Sequence, residues 1–355
     1  MSNTVMITGG AGFIGSNIAD EALAKGWDVI IFDNLIRPGV EFNLDRFKGN
    51  PKVTFHRGDV RNAMDFERLP KKPDVIIHMA GNPGIPWSIN WPRYDFETNA
   101  LGTLNVLEYA RLNAKIPVIY ASTNKVYSDH INALPLTETN TRLTPSDPSY
   151  PGNSEVFPID SQGNYTSHSP YGCSKYVGDI YVQEYAEIYG LHTFVNRMSC
   201  IYGKWQHGVE DQGWTAWFVR AKIKGLPLNI YGNGKQVRDC LYGGDVAKLY
   251  MLEASQALAS KLAGMRGICK VFNVGGGTKN TTSLLEAISY LDNHPKFKDL
   301  PKLKLNFLDW RQADHRYYVS DIFKVMEEMG WEPKVGVTEG LDNLIDWALE
   351  YRHIL

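Results

Sequence analysis

The chain lacks any apolar run approaching the ~18 residues of a membrane-spanning helix. Its first residues, MSNTVMITGG, show no basic segment leading into an uninterrupted apolar stretch. Together these absences predict a soluble, cytoplasmic protein. It also lacks a basic excess: 37 Lys and Arg stand against 39 Asp and Glu, a formal net charge of −2. Broad binding to a phosphate backbone, and so nucleic acid as a partner, is excluded. Cysteine is scarce. Cys173, Cys200, Cys240 and Cys269 form no CxxC pair, which suits reduced thiols and predicts no disulfide. His78, His168 and His207 show no metal-ligand spacing, and no metal is expected.

What is there can fill a core: 43% of the 355 residues are hydrophobic, enough for two domains of ordinary size. Short apolar strands (Val5 to Thr8, Val29 to Asp33, Val53 to His56, Val75 to His78, Val118 to Ser122, Thr193 to Arg197) alternate with helical spacing. Helices are read from Phe13, over Leu101 to Leu112 and over Tyr171 to Tyr189. That alternation predicts parallel βαβ units and an α/β fold with a doubly wound parallel Rossmann sheet. After Gly203 the pattern turns irregular and rich in Trp and Gly, as a smaller C-terminal substrate-binding domain would be. The expected division is residues 1–200 for dinucleotide binding, with 237–275 returning to that domain, and 201–355 mainly for substrate. Between Ser128 and Ser169 the periodicity stops, and Pro, Ser, Asn and Thr dominate. This stretch reads either as a functional loop flanking a site or as a solvated insertion.

Gly9, Gly12 and Gly15 of TGGAGFIG lie between the first strand and the first helix, with Phe13 and Ile14 opening that helix. Glycines there permit a tight turn, close approach of a pyrophosphate and close packing of helix on strand, and the helix N-terminus offers free N–H groups. Asp33 ends the second strand, 18 residues beyond Gly15, where a carboxylate can bind both ribose hydroxyls and repels a 2′-phosphate. NAD is therefore the expected cofactor, although Arg37 lies close by. The plainer alternative is a turn made by glycines and capped by Asp33. Asn34 adjoins the ribose position, and Asp59 and Val60, after the third strand, would meet the adenine or simply make a turn.

In SPYGCSK, Tyr171 and Lys175 stand at i and i+4, on one face of a helix. A free tyrosine titrates near about 10 and is a poor base at neutral pH, but a neighbouring ammonium and a positive nicotinamide ring favour its phenolate. An amphipathic helix would explain the same spacing. The strand VIYAST adds weight because it ends with Thr123 at the carboxyl edge of the sheet, where ligands of doubly wound folds bind.

TGGAGFIG, Asp33 to Leu35, ASTNKVY, YGCSK, IYGNGKQVRD and FNVGGG occur in an order that resembles the extended short-chain dehydrogenase/reductase superfamily over almost the whole chain. GNPGIPWSI, SPYGCSKYVGD, RMSCIYG, EDQGW and DWRQADHRYYVSD are similar, more narrowly, to the nucleotide-sugar 2-epimerases that act on CDP-paratose and CDP-tyvelose. The resemblance implies an isomerase with tightly held NAD and a CDP-linked deoxyhexose as substrate, oxidised at C2 and re-reduced, with Thr123, Tyr171 and Lys175 catalytic. It also implies a homodimer joined through the helices near Leu101 and Tyr171. Related dehydratases carry an Asp-Glu pair after the threonine; Asn124 and Lys125 stand there instead, which removes the extra acid and base. Ser128 and the pair Gly243-Gly244 depart from the family pattern.

By the same resemblance Arg238 and Arg311 bind the diphosphate, as a planar guanidinium can; alternatively each pairs with Asp239 or Asp314. Trp214, Trp217 and Phe218 suit either a pocket or the core, and Cys173 and Cys200 either pack or react. Two other functions remain open: 4-epimerisation by the same chemistry, and non-catalytic dinucleotide binding.

Overall fold

Seven strands whose side chains alternate between two apolar faces form the centre of the molecule. The structure, a computed structural model, describes residues 2–127, 129–153 and 167–355; Ser128 and residues 154–166 of the expected functional loop lie outside the described residues. The first half contributes β1 (Thr4–Thr8), β2 (Asp28–Asp33), β3 (Val53–Arg57), β4 (Val75–His78) and β5 (Val118–Thr123). A small antiparallel hairpin, β6 (Leu136–Glu138) and β7 (Leu143–Pro145), follows, then β8 (Thr193–Met198). The next strands are β9 (Cys200–Tyr202), β10 (Leu228–Tyr231), β11 (Val237–Tyr242) and β12 (Cys269–Val274), before β13 (Thr281–Ser283), β14 (Leu305–Leu308) and β15 (Tyr317–Tyr318).

The central sheet is parallel throughout, in the order β12-β8-β5-β4-β1-β2-β3. Val5, Ile7, Val29, Ile31 and Ile119 face one hydrophobic cluster, while Met6, Ile30, Phe32, Val118 and Tyr120 face the other. Burial of both faces is what a parallel sheet requires. Helices α1 (Phe13–Ala24), α2 (Val40–Asp45), α3 (Met64–Glu67), α4 (Ile85–Asn90), α5 (Pro92–Phe96), α6 (Gly102–Leu112), α7 (Ser169–Tyr189), α8 (Trp214–Lys224) and α9 (Gly243–Leu262) come in chain order. The first face is covered by α1 and α9, which pack on each other, and the second by α6 and α7. A cavity left by Leu→Ala in such a layer costs on the order of 2–5 kcal/mol.

β9, β13 and β15 gather around β11, and β10 pairs with β14. Over these strands a third cluster holds Phe218, Leu228, Ile230, Cys240 and Trp347. Gly243 opens α9, and a Cβ there would come within 2.9 Å of the Phe13 ring, so this departure from the family pattern lets the N-termini of α1 and α9 meet. Among the described residues no helix is long and apolar enough to cross a membrane, and no group of three or more His, Cys, Asp or Glu could hold a metal ion.

Candidate active site

The chain order reverses its direction of growth between β1 and β4, and ligands of open α/β sheets bind at such a switch, beyond the carboxyl ends of the strands. Gly9 (φ +66°) ends β1 so close to the β4 exit that a Cβ would lie 2.8 Å from the Ala80 nitrogen. At Gly15 a Cβ would be 2.3 Å from the Gly9 carbonyl oxygen. Gly12 caps α1 with no side-chain hydrogen bond, which leaves the first turn, Phe13, Ile14 and Gly15, with N–H groups for an anion. This cradle has the shape and polarity that a dinucleotide's pyrophosphate needs.

Asp33 closes β2, buried, and its carboxylate accepts N–H bonds from Ala11 (3.0 Å) and Leu35 (2.8 Å). Burial raises its pKa, and the backbone donors pull it back. Asn34 donates to the Asp59 carboxylate at 3.0 Å. Asp59 is further paired with Arg61 at 2.7 Å, and Val60 is buried with its carbonyl accepting from Asn105 at 2.8 Å. The Arg37 guanidinium donates to the Gln212 side chain, across to the later part of the chain.

Helix α7 begins with Pro170 in its first turn and ends at Gly190 in the left-handed region (φ +72°), so both of its ends are written in the sequence. It places Tyr171 beside Thr123, and both line the same cleft. Lys175 is buried on the next turn, its Nζ 4.3 Å from the centroid of the Tyr120 ring. Burial pushes the phenol up to about 12, partly opposed by Thr123, and pushes the Lys175 amine down to about 7, opposed by Asp95 and Asp179. His78, below them, is a packed neutral imidazole between Thr8 (2.7 Å) and Thr103 (3.1 Å), held down to about 3 by burial.

A cleft opens above Thr123 and Tyr171. The expected residues Thr123, Asn124, Tyr171, Arg238 and Arg311 all line it, as do Trp214, Trp217 and Phe218, which also pack in the third cluster. Arg238 donates to Asp314 at 2.6 Å, and Arg311 to Asp211 at 3.0 Å while lying 3.6 Å from the centroid of the Tyr231 ring. Asp239 instead turns inward and accepts from Ser199, Gly277 and Ser320. Cys200 lines the cleft too, and Cys173 is exposed.

One cleft residue was singled out in the sequence only for what it replaces. Lys125 is half-buried, with its ammonium 3.0 Å from the Ala313 carbonyl oxygen and 3.8 Å from Asp314, and desolvation lowers it to about 8. Lys125, Arg238 and Arg311 bring three cations into a cleft that also holds Glu210, Asp211 and Asp314, and the two guanidinium groups suit a diphosphate that takes over from their carboxylate partners. Spacing alone gives no signal for this, since they sit far apart in the chain. The lower end of the same cleft presents the Thr123 hydroxyl and the Tyr171 phenol together. It can orient an alcohol and pass its proton.

The NAD dependent epimerase/dehydratase family matches residues 5–275. CDP-paratose 2-epimerase of Salmonella typhi is 40% identical over 352 residues, 97% of this chain and 98% of that protein. The crystal structure of UDP-glucose 4-epimerase with UDP-glucose from Thermotoga maritima shares 28% identity and a TM-score of 0.75, covering 98% of this chain and 99% of that one. UDP-glucose 4-epimerase of Thermus thermophilus in complex with NAD shares 27% identity and a TM-score of 0.74, with the same coverage.

Proposed function

Since the chain belongs to the NAD dependent epimerase/dehydratase family, we propose that it is a nucleotide-sugar 2-epimerase that inverts C2 of a CDP-linked deoxyhexose of the paratose and tyvelose type. The observation that carries this reading is the 40% identity with CDP-paratose 2-epimerase along both chains. NAD, when bound, supplies the acceptor for the hydride at C2, returns it to the opposite face of the ketone, and brings a positive ring that favours the Tyr171 phenolate.

The residues that would hold the cofactor are Gly9, Gly12, Phe13, Ile14 and Gly15 around the pyrophosphate, Asp33 and Asn34 at the ribose, and Asp59 and Val60 towards the adenine. Lys175 and Tyr171 would meet its reactive end. Thr123 orients the C2 hydroxyl and Tyr171 removes its proton, then gives it back after the 2-ketosugar has turned. Arg238, Arg311 and Lys125 keep the nucleotide anchored during that turn, and Asn124 faces the sugar. With Asn124 and Lys125 where dehydratases carry two acids, elimination of water lacks its proton carriers.

The dinucleotide part comprises residues 1–200 with 237–275, supported by β12 pairing with β8 and α9 packing on α1, and 201–355 mainly covers the substrate. Helices α4 to α7 present exposed Trp87, Trp91, Phe96, Ile180 and Tyr181, an apolar face suited to a second copy; sedimentation should give a homodimer. The absence of CxxC spacing supports a cytoplasmic location. Incubation with CDP-, UDP- and GDP-hexoses, read by NMR, tests the assignment: inversion at C2 of a CDP-sugar is expected. Inversion at C4 of a UDP-sugar would replace it with the second reading, which the likeness to the Thermotoga enzyme favours. No turnover of any sugar would leave a dinucleotide-binding protein.

A further inference from the structure

The GNPGIPWSI segment and the helices after it contain a buried polar cluster that the reaction as written does not use. Asp95, on α5, is fully buried. Its carboxylate accepts from Ser174 at 2.5 Å, Asn82 at 2.7 Å and Asn99 at 3.1 Å. Asn99 lies in the single wide turn, Glu97–Leu101, that joins α5 to α6. Its side chain accepts from the Asn82 N–H at 2.8 Å and donates to the Asn82 carbonyl at 3.1 Å and to Ser174 at 3.0 Å. Asn82 immediately precedes the Pro83–Pro86 wall of the cleft, and Ser174 immediately precedes Lys175.

All three donors to Asp95 are neutral, and a carboxylate buried among neutral groups is costly unless a cation lies near. Two acidic groups act on Lys175, Asp95 and Asp179. Asp179, one turn further along α7, is already matched: Arg197 of β8 binds it at 3.0 Å through two nitrogens, and Ser122 and Gln183 donate to it as well. The other polar groups around Lys175 are Tyr171 on α7, the Tyr120 ring on β5 and neutral His78 on β4. The α4 segment IPWSIN carries no titratable side chain, Glu97 and Arg93 on the helices after it pair with each other on the surface, and Lys125 faces the cleft. The Lys175 Nζ and the Asn99 side chain meet at Gly81, 3.7 and 2.9 Å from where a Cβ would stand, and Asn99 donates to Asp95, so the negative charge left over near Lys175 is that of Asp95.

We propose that Asp95 is a positioning residue: it holds the counter-charge that keeps the buried Lys175 an ammonium, and through Asn82 and Ser174 it locks the cleft wall to the catalytic helix. The role rests on the reading of Lys175 as the partner of Tyr171. Chemistry at the substrate then depends on a carboxylate that never touches it.

The test is Asp95→Asn, which keeps the shape and removes the charge, with Asp95→Ser as a second neutral replacement should the first fail to fold. Lysine labelled with 13C at Cε, its Lys175 resonance assigned by loss in Lys175→Met, gives the titration of that one amine by NMR without any substrate. Loss of the charge should move the Lys175 midpoint down by about one pH unit, leaving about fivefold less ammonium at pH 7. The alkaline limb of the kcat profile should move with it, while KM for the nucleotide sugar changes less than threefold. An unmoved midpoint with a pH-independent fall in kcat would overturn the proposal and leave Asp95 a packing residue. If the parent turns over no nucleotide sugar, the functional reading fails, and the NMR midpoint still judges Asp95 by itself.

Discussion

Tyr171 and Lys175 stand one turn apart on α7, and burial drives both towards their neutral forms, the phenol up to about 12 and the amine down to about 7. A positive charge beside Tyr171 opposes that burial and favours its phenolate, so the charge held on Lys175 bears directly on the strength of the base.

Tyr171→Phe should lower kcat by at least about a thousandfold while NAD affinity stays within a few-fold of the parent, because the proton carrier is lost and the Gly-rich turn is untouched. Turnover near the parent level would remove Tyr171 from the chemistry. Steady-state kinetics and calorimetry on the same sample separate the two effects.

Asp33→Ala should weaken NAD about tenfold or more and NADP far less, since the lost bonds go to ribose hydroxyls and the lost charge opposed a 2′-phosphate. The same carboxylate ties Ala11 and Leu35, so a modest drop in melting temperature is expected alongside. A parent that already prefers NADP would contradict the role given to Asp33.

Arg238→Ala or Arg311→Ala should raise KM for the nucleotide sugar by roughly 1.5 to 3 kcal/mol per charge-assisted contact. The Arg238 change also removes the hydrogen-bonded partner of Asp314 and is expected to be the larger. Unchanged kinetics in both variants would put the diphosphate elsewhere.

Turnover of substrate deuterated at C2, in ordinary water, should give product still deuterated at C2. The resting hexose has no carbonyl to acidify that carbon, so the hydrogen leaves and returns without meeting solvent. Washout of the label, read by mass spectrometry, would reject the transient-oxidation route even if C2 were inverted.

Glu253 on α9 offers a test of stability away from the cleft. It is fully buried, accepts one bond from Asn196 at 2.6 Å, and is pushed up to about 8 by burial. An acid whose folded value lies above its unfolded one adds full stability below the unfolded value, here 4.5, and loses it as pH rises through the folded value. Glu253→Gln should therefore be near neutral at pH 4.5 and stabilise by on the order of 2 kcal/mol at pH 9. Urea melts at the two pH values check the sign.

Six of the seven sheet strands were legible as short apolar runs, whereas β12 was read only as the FNVGGG motif, and α7 was legible because Pro170 and Gly190 mark its ends. Residues 85–101 were not. Two brief helices and one wide turn follow each other there, too short for a hydrophobic period to declare itself. Asp95 in that stretch reads as a solvated acid until the fold shows it fully covered. The cleft aromatics resisted for another reason: Trp214, Trp217 and Phe218 serve core and cleft together, and periodicity treats those roles as one. Arg238 and Lys125 are more than a hundred positions apart, and only β11 lying near the exit of β5 gives them a common neighbour in Asp314.

After building β9, β10 and β11 the chain comes back to lay β12 along the edge of the seven-stranded sheet. The two sides of the cleft are thus stitched together by several separate passes of backbone, so a single nick in one connecting loop would leave them tethered. A mouth joined by several crossings resists the wide swing that a jaw on one hinge allows. A ketosugar that must present its other face then turns inside the cleft, pivoting on its own diphosphate bonds.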